Sequence, residues 1–335
     1  MSMIAVVISI LAFWDGRKTR RRGEKLAQES REIERRQLRV EIDGLLHKAW
    51  LLVGGDLGSE NIVQFASRAD LNKAKRECIE RALVMDPNYA PTHRIFGLYC
   101  LGTKNNSRAE QAFRKAIEID PEFALAHTSL GYLFSQDPDR GAEGEQAFRK
   151  AIELDPEYAV AHFNLGNLLF QDPDRRAEAE QAFRKVIEID PEYVKAHSGL
   201  GSLLYADPDR RAEAEQAYRK AIEIDPEYVV AHYNLGSLLF ADPDRRAEAE
   251  QAYRKAIEID PENAYAHSGL GSLLTRDPDR RTEAEQAYRK AIEIDSQDAL
   301  AHRNLGYLLS RDPDRRVEAE QAYRKAIEID SQDAL

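Results

Sequence analysis

An interval of 35 residues governs most of this 335-residue chain. An aromatic residue returns at each interval without drift, inside the phrase "AEQAYRKAIEIDP" or a close variant of it. The aromatic positions are Phe113, Phe148, Phe183, Tyr218, Tyr253, Tyr288 and Tyr323. A strict period of this length is typical of chains built from stacked supersecondary repeats rather than from separate globular domains.

Each repeat is expected to contain two amphipathic helices. Leu235, Leu238 and Leu239 form one apolar stripe at helical spacing, and Ala252 and Tyr253 belong to a second stripe. A single helix pair buries too little apolar surface to offset the entropy lost when its backbone becomes ordered. Consecutive pairs must therefore stack on one another, and the predicted architecture is a solenoid.

Asp-Pro dipeptides mark both connections within a repeat. We expect Asp242 to cap the second helix, with Pro243 in its first turn, where a missing N–H is tolerated. Pro261 disfavours helical geometry at Asp260, so the second helix should end there.

The order of these residues resembles the tetratricopeptide repeat family over residues 89–330. The resemblance rests on Leu235, Gly236, Ala249, Tyr253, Ala256 and Pro261 and on the matching positions of other repeats. It implies an all-α fold, a right-handed α-solenoid of stacked helix-turn-helix repeats. The family repeat has 34 residues, which is the spacing from His93 to His127, whereas later repeats carry one extra residue in the "DPDRR" turn.

Pentatricopeptide repeats, which read RNA, are the alternative with a period of 35. The order of the repeated residues and the net charge of −11 argue against them, so we expect no nucleic-acid partner. Three segments are expected: 1–25 as an apolar stretch with a basic cluster, 26–87 as a polar helix and a divergent first repeat with a long insertion, and 88–335 as seven repeats. Cys78 and Cys100 are expected to be buried, unpaired cysteines.

Residues 3–14 are apolar but shorter than a full membrane span, and a basic cluster follows them. The order favours an N-terminal anchor or surface contact with anionic lipids, with the repeats in the cytoplasm. The alternatives are a frayed tail and a span whose upstream half is missing. The expected membrane-contact residues are Ile4, Val6, Val7, Ile10, Leu11, Phe13, Trp14, Arg20, Arg21 and Arg22.

A histidine recurs in the phrase "AHYNLGSLL" and its variants. His232 lies on the same helical stripe as Leu235 and Leu239, which favours packing and hydrogen bonding. Equivalent helices about 8–10 Å apart are too widely spaced for histidines to share one metal ion. No phosphate loop, HExxH or GxSxG motif is present, so the sequence predicts no enzyme activity, no metal site and no cofactor.

Differences between repeats collect on the first helix, whereas the second helix hardly changes. In the family, first helices line a concave groove that binds peptides or protein segments. Carried over by position, the groove residues are Val160, Phe163, Asn164, Phe170, Lys195, Tyr205, Val230, Tyr233, Asn234, Phe240, Tyr265, Arg303, Asn304 and Tyr307. These residues predict a peptide-binding groove, with polar residues merely facing water as the alternative interpretation.

Asparagine returns in every second repeat, at Asn164, Asn234 and Asn304. An amide both donates and accepts, so this row would hold a peptide backbone. It resembles the asparagine ladder in the repeats of O-linked N-acetylglucosamine transferase. The lysine-based clamp that other members use for chaperone tails is missing. Gly199 stands at the position where that clamp requires a partner residue for Lys195.

The predicted function is a scaffold that binds a protein or peptide. The alternative is a structural array in which the last helix, with its apolar face uncovered, associates with another copy of the chain.

Overall fold

The computed structural model describes residues 32, 36–47 and 68–332. The predicted membrane-contact segment lies outside these residues. The chain divides into two compact units, Met1–Pro156 and Glu157–Leu335, and each is described by itself below.

Both units are all-α over their described residues, as the repeat pattern predicts. Unit 1 contains α1 (36–47), α2 (Arg68–Met85), α3 (Ala90–Gly102), α4 (Asn106–Ile119), α5 (Ala124–Ser135) and α6 (Gly141–Leu154). Unit 2 contains α7 (Ala159–Phe170), α8 (Arg176–Ile189), α9 (Val194–Tyr205), α10 (Arg211–Ile224), α11 (Val229–Phe240), α12 (Arg246–Ile259), α13 (Ala264–Leu274), α14 (Arg281–Ile294), α15 (Ala299–Ser310) and α16 (Arg316–Gln332). From α3 onward the odd-numbered helices are the first helices of the repeats, and the even-numbered helices are the second helices. The fold is a right-handed α-solenoid of stacked helix-turn-helix repeats.

A glycine on the first helix lets the two helices of a repeat approach closely. A Cβ at Gly236 would lie 2.8 Å from Cδ1 of Tyr253, and one at Gly271 would lie 2.8 Å from Cε1 of Tyr288. Both tyrosines are buried on second helices. The repeated aromatic residue therefore occupies the space that a larger residue in the "LG" pair would need.

The connection from first to second helix differs from the expected one. Asp242 caps a short 3-10 helix, Pro243–Arg245, and its carboxylate accepts a bond of 2.9 Å from the backbone N–H of Asp244. The α-helix begins only at Arg246, so the expectation that Asp242 caps the second helix is wrong. The extra residue of the 35-residue repeat lies in this turn, because the 34-residue first repeat has instead Lys104 at φ 59° and an Asn105 cap. The other boundary is confirmed, since α12 ends at Ile259 before Asp260.

Within each unit, an arginine from a 3-10 turn joins its repeat to the preceding repeat of the same unit. In unit 2, Arg245 donates from Nη1 and Nη2 to both carboxylate oxygens of Glu215, at 2.6 and 2.8 Å, and also binds Glu248 of its own repeat. The same bidentate contact joins Arg210 to Glu180, Arg280 to Glu250 and Arg315 to Glu285. In unit 1 it joins Arg140 to Glu110. We call these inter-repeat contacts the Arg–Glu clamps.

The clamps change the acidity of their carboxylates. Hydrogen bonds from Arg210, Arg245 and Arg280, respectively, lower the pKa values of Glu180, Glu215 and Glu250 to about 2. Hydrogen bonding to the charged form favours that form, and here it outweighs the opposing effect of burial.

In unit 1 the divergent segment packs against the first complete repeat. Ile42 and Leu46 of α1 form a buried cluster with Cys78, Ile79 and Ala82 of α2 and with Ile95 of α3. Tyr89 donates from its hydroxyl to Asp43 at 2.8 Å. Cys78 and Cys100 are buried and free, as expected.

Candidate functional site

The recurring histidines close the turn that connects one repeat to the next. Nε2 of His232 donates to the backbone carbonyl of Pro226 at 2.9 Å, and Nε2 of His197 donates to that of Pro191 at 2.9 Å. His93, His127 and His267 make the same bond to the proline six residues earlier. The structural interpretation of the histidines is confirmed. Sequence alone did not identify the proline carbonyl as their partner, although its constant offset of six residues is visible in the repeats.

All the predicted groove residues lie on the first helices of unit 2, namely α7, α9, α11, α13 and α15. The exposed members are Lys195, Tyr205, Val230, Tyr265, Arg303 and Tyr307. The half-buried members are Val160, Phe163, Asn164, Phe170, Tyr233, Asn234, Phe240 and Asn304. Consecutive first helices from α7 to α13 contact each other, and Asn304 of α15 binds Ser272 of α13. We call the surface on which these side chains lie the first-helix face.

The asparagines also take part in contacts between repeats. Asn234 donates from Nδ2 to Oγ of Ser202 at 3.3 Å, and Ser202 also accepts from the hydroxyl of Tyr218 at 3.2 Å. Asn304 binds Ser272 at 3.4 Å in the same way. The sequence prediction assigned these amides to a ligand and missed this bond. A side-chain amide has two N–H donors and one accepting oxygen. The bond to serine uses one donor, so the other donor and the oxygen can still form hydrogen bonds.

Aromatic side chains brace one another across the first-helix face. The ring centroid of Phe163 lies 6.0 Å from that of Phe183 and 5.3 Å from that of Tyr193. The ring centroid of Tyr233 lies 6.1 Å from those of Tyr253 and Tyr265. These tilted contacts restrict the rings, and a ring ordered in advance loses less entropy when it meets a ligand.

Arginines cover aromatic rings at the ends of three first helices. The guanidinium carbon of Arg276 lies 4.7 Å from the ring centroid of Phe240. Those of Arg211 and Arg311 lie 5.9 and 5.8 Å from the rings of Tyr205 and Tyr307. Sequence reasoning missed these cation–π contacts, although the arginines recur beside the Asp-Pro turns.

The two kinds of helix differ in charge. The first helices of unit 2 carry Lys195 and Arg303 but no aspartate or glutamate, although the whole chain has a net charge of −11. The carboxylates of unit 2 lie on its second helices and in its turns. The first helices of unit 2 thus carry a small positive charge, although the whole chain is acidic.

A cleft opens between successive second helices, on the other side of the repeats. In unit 2 one such cleft of about 480 Å³ has Ile187, Leu200, Leu204 and Ala217 among its lining residues, with Arg184, Glu188, Glu213 and Lys220 at its charged rim. An equivalent cleft of about 400 Å³ lies between α14 and α16. Because the same residues line it in different repeats, the cleft is a product of the shared packing.

The described part of the chain contains no group of three or more histidine, cysteine or acidic residues placed to hold a metal ion. Nor does any helix among the described residues have the length and apolarity needed to cross a bilayer.

Three family models match the sequence, and all describe tetratricopeptide repeats. One matches residues 97–159 and 136–194, another matches residues 212–242 and 247–276, and a third matches residues 267–298. The chain belongs to the tetratricopeptide repeat family. Members are built as scaffolds for protein–protein interaction, and the repeat fold is typically not catalytic. No curated protein sequence matches this chain.

Solved structures share the fold at low sequence identity. The APC/C hetero-tetramer Cut9–Hcn1 matches with a TM-score of 0.61 and 16% identity, over 72% of this chain and 48% of that one. PilF of Pseudomonas aeruginosa matches with a TM-score of 0.57 and 20% identity, over 67% of this chain and 97% of that one. Yeast Tom70 matches with a TM-score of 0.56 and 19% identity, over 79% of this chain and 57% of that one. At these identities the likeness concerns the fold.

Proposed function

We propose that this chain is a protein-interaction scaffold that binds an extended segment of a partner protein on the first-helix face of unit 2. The observation that carries the proposal is that the first and second helices of a repeat present different kinds of side chain. The varied aromatic, amide and cationic side chains lie on the first helices, whereas charged groups of the second helices, such as Glu215, contact neighbouring repeats.

Exposure supports this choice of face. Tyr265 is 67% exposed and Tyr307 is 53% exposed, although aromatic rings of this size are usually well covered. Tyrosine is enriched in protein interfaces because its ring gives apolar contact while its hydroxyl forms a hydrogen bond. Asn234 and Asn304 add amide groups that pair with a peptide backbone.

A photo-crosslinking amino acid tests the proposal directly. Placed at Tyr265 in the full chain, it should form adducts with partner proteins in cells. Placed at Gln251, an exposed position on α12, it should form few or none. Adducts from Gln251 and none from Tyr265 would move the binding surface to the second helices.

We also infer that residues 1–25 hold the scaffold at the cytoplasmic face of a membrane. The support is the sequence pattern alone, an apolar stretch followed by Arg20, Arg21 and Arg22. Fractionation of the full chain should place it with membranes, and deletion of residues 1–25 should release it. Equal distribution of the two forms would contradict the tether.

Association between copies is a second candidate function. On α16 the apolar residues Val317 and Ile327 are 68% and 67% exposed, whereas Ile257 and Ile292, which match Ile327 in earlier repeats, are half-buried. Light scattering over a range of concentrations tests it. A mass that stays that of one chain would exclude it, and a mass that rises for the wild type but not for Ile327→Glu would support it.

A further inference from the structure

One side of α16 presents two apolar and two charged residues in a single row. Val317, Glu320, Arg324 and Ile327 follow one another at intervals of three, four and three residues, which places them on one face of a helix. All four side chains are exposed. We call these four residues the α16 stripe.

Elsewhere in unit 2 the two charged positions of the stripe bind the following repeat. On α14, Glu285 accepts hydrogen bonds from the arginine of the next 3-10 turn, and Arg289 donates to Glu318 of α16 at 3.3 Å. The side chain of Glu285 is 19% exposed, whereas that of Glu320, its equivalent on α16, is 61% exposed. In the part of the chain that the structure describes, Glu320 and Arg324 bind only each other, at 2.6 Å. The stripe therefore presents one acceptor and one donor of the kind that join repeats.

The first position of the stripe is larger and more apolar on α16 than on the other second helices of unit 2. The residues equivalent to Val317 are exposed in each case, and they are Ala177, Ala212, Ala247 and Thr282. With Ile327, Val317 gives the stripe an apolar residue at each end. Exposed apolar residues grouped in this way favour contact with another molecule.

The stripe complements itself when it is turned end for end. Glu320 and Arg324 each lie two residues from Ala322, and Val317 and Ile327 each lie five residues from it. In two copies of α16 that pack antiparallel about this midpoint, Glu320 of one copy faces Arg324 of the other, and Val317 faces Ile327. Each contact then occurs twice, as a two-fold symmetric interface requires.

Parallel packing of the same two helices would be unfavourable. It would place Glu320 opposite Glu320 and Arg324 opposite Arg324, so that like charges repel. Antiparallel packing brings opposite charges together, and the apolar contacts flank them over about 15 Å of helix. A contact of this length is smaller than the interface of a permanent dimer, so the association should depend on concentration.

We propose that two copies of this chain form a two-fold symmetric dimer through antiparallel α16 helices, with Glu320 of each copy paired to Arg324 of the other. This inference goes beyond partner binding on the first-helix face. It rests on the second candidate function, association between copies, and specifies its surface and its geometry.

Charge exchange tests the pairing. Glu320→Arg and Arg324→Glu each place like charges opposite each other at two points, so each variant alone should dimerise at least about tenfold more weakly than the wild type. The double variant Glu320→Arg with Arg324→Glu restores both pairs with their charges reversed and should recover the dimer. An equimolar mixture of the two single variants should also dimerise, because every arginine then meets a glutamate. Light scattering of the full chain over a range of concentrations measures the mass.

Lys325→Glu is the matched control for Arg324→Glu. It makes the same change of charge at the next residue, but Lys325 lies on another side of α16. There it pairs with Glu328 at 3.0 Å and lines the cleft between α14 and α16. Its dimerisation should equal that of the wild type. Because Glu320 and Arg324 are exposed, every variant should keep the helix content of the wild type in circular dichroism.

A chain that stays monomeric at every concentration would overturn this inference together with the second candidate function. It would leave the scaffold function to be judged by adducts from Tyr265 in cells. A dimer that both single variants form as tightly as the wild type, or that the double variant fails to recover, would overturn the α16 pairing. Association between copies would then use another surface.

Discussion

The second helices of unit 2 are nearly identical to one another, whereas its first helices differ. The sequence "RAEAEQAYRKAIEI" is the same in α10 and α12. The structure gives a physical reason for this sameness, because each of these helices contacts equivalent neighbours through the same Arg–Glu clamps. A second helix therefore has little freedom to vary. The first helices keep their glycine, leucines and histidine for packing and vary at the position after the histidine, which holds Phe163, Ser198, Tyr233, Ser268 and Arg303 in turn.

The largest expected effect comes from the rings that join the two kinds of helix. Replacing the buried Tyr253 by alanine should lower the free energy of unfolding by about 3–5 kcal/mol, because the space between Gly236 and Gly269 would be left empty. Urea denaturation measures this loss. Tyr233→Ala, on the first-helix face, is the comparison. It should lower the free energy of unfolding by less than half as much, because Tyr233 is only half-buried and its removal loses less packing. Equal losses would remove the distinction between packing and surface positions.

Breaking one clamp should have the next largest effect. Arg245→Met leaves the carboxylate of Glu215, whose side chain is only 19% exposed, without its two-pronged partner. We expect a loss of about 1–3 kcal/mol in the free energy of unfolding. Lys220→Met removes only the exposed pair with Glu223 and should cost less than about 0.5 kcal/mol. The clamps would lose their assigned role if both variants unfolded at the same urea concentration.

The clamps also predict how stability depends on pH. Among their glutamates, Glu180, Glu215 and Glu250 have pKa values of about 2 in the folded chain, below the ordinary value of 4.5. Their contribution is therefore complete above about pH 4.5 and is lost as the pH falls toward about 2. Urea midpoints should fall between about pH 5 and about pH 2.5, and the fall should be smaller in Arg245→Met. A midpoint that drops equally in both proteins would contradict this assignment.

The smallest expected effect concerns a single hydroxyl. Tyr253→Phe removes a bond of 3.2 Å to Oγ of Ser237 and should cost about 1 kcal/mol. Ser237→Ala should cost a similar amount, and the double variant should cost little more than either single one. Additive losses would show that the two groups do not interact in solution.

The sequence predicted the helices well because their signals are local. Each signal determines structure within a few residues of its own position. Apolar stripes mark the buried helix faces, Asp260-Pro261 marks a helix end, and Leu235-Gly236 marks a close helix contact. The 3-10 turn was missed because an Asp-Pro dipeptide can begin either a 3-10 helix or an α-helix, so the sequence does not distinguish the two. The clamps were missed because their partners are thirty residues apart, although Arg245 and Glu215 recur at that separation in successive repeats.

The sequence predicted that the candidate site residues lie on the first helices, but it did not predict the contacts that these residues make. Residues such as Tyr265 and Arg303 lie exposed on the first helices, where the resemblance placed them. The bond from Asn234 to Ser202 crosses between repeats, so no pattern within one repeat reveals it. The same holds for Phe183, which fills the space beside Gly199 of the next repeat.

Replacing two residues of the first helix α11 by their equivalents in α9 tests the central claim most directly. The double variant Tyr233→Ser with Asn234→Gly gives α11 the residues that α9 carries at the equivalent positions, Ser198 and Gly199. Crosslinking from Tyr265 in cells should be lost in this variant, while urea denaturation should still show a cooperative unfolding transition, at a midpoint lowered by the loss of the Tyr233 ring contacts and of the bond from Asn234 to Ser202. Undiminished adducts from Tyr265 in a folded variant would contradict the claim that the first helices select the partner.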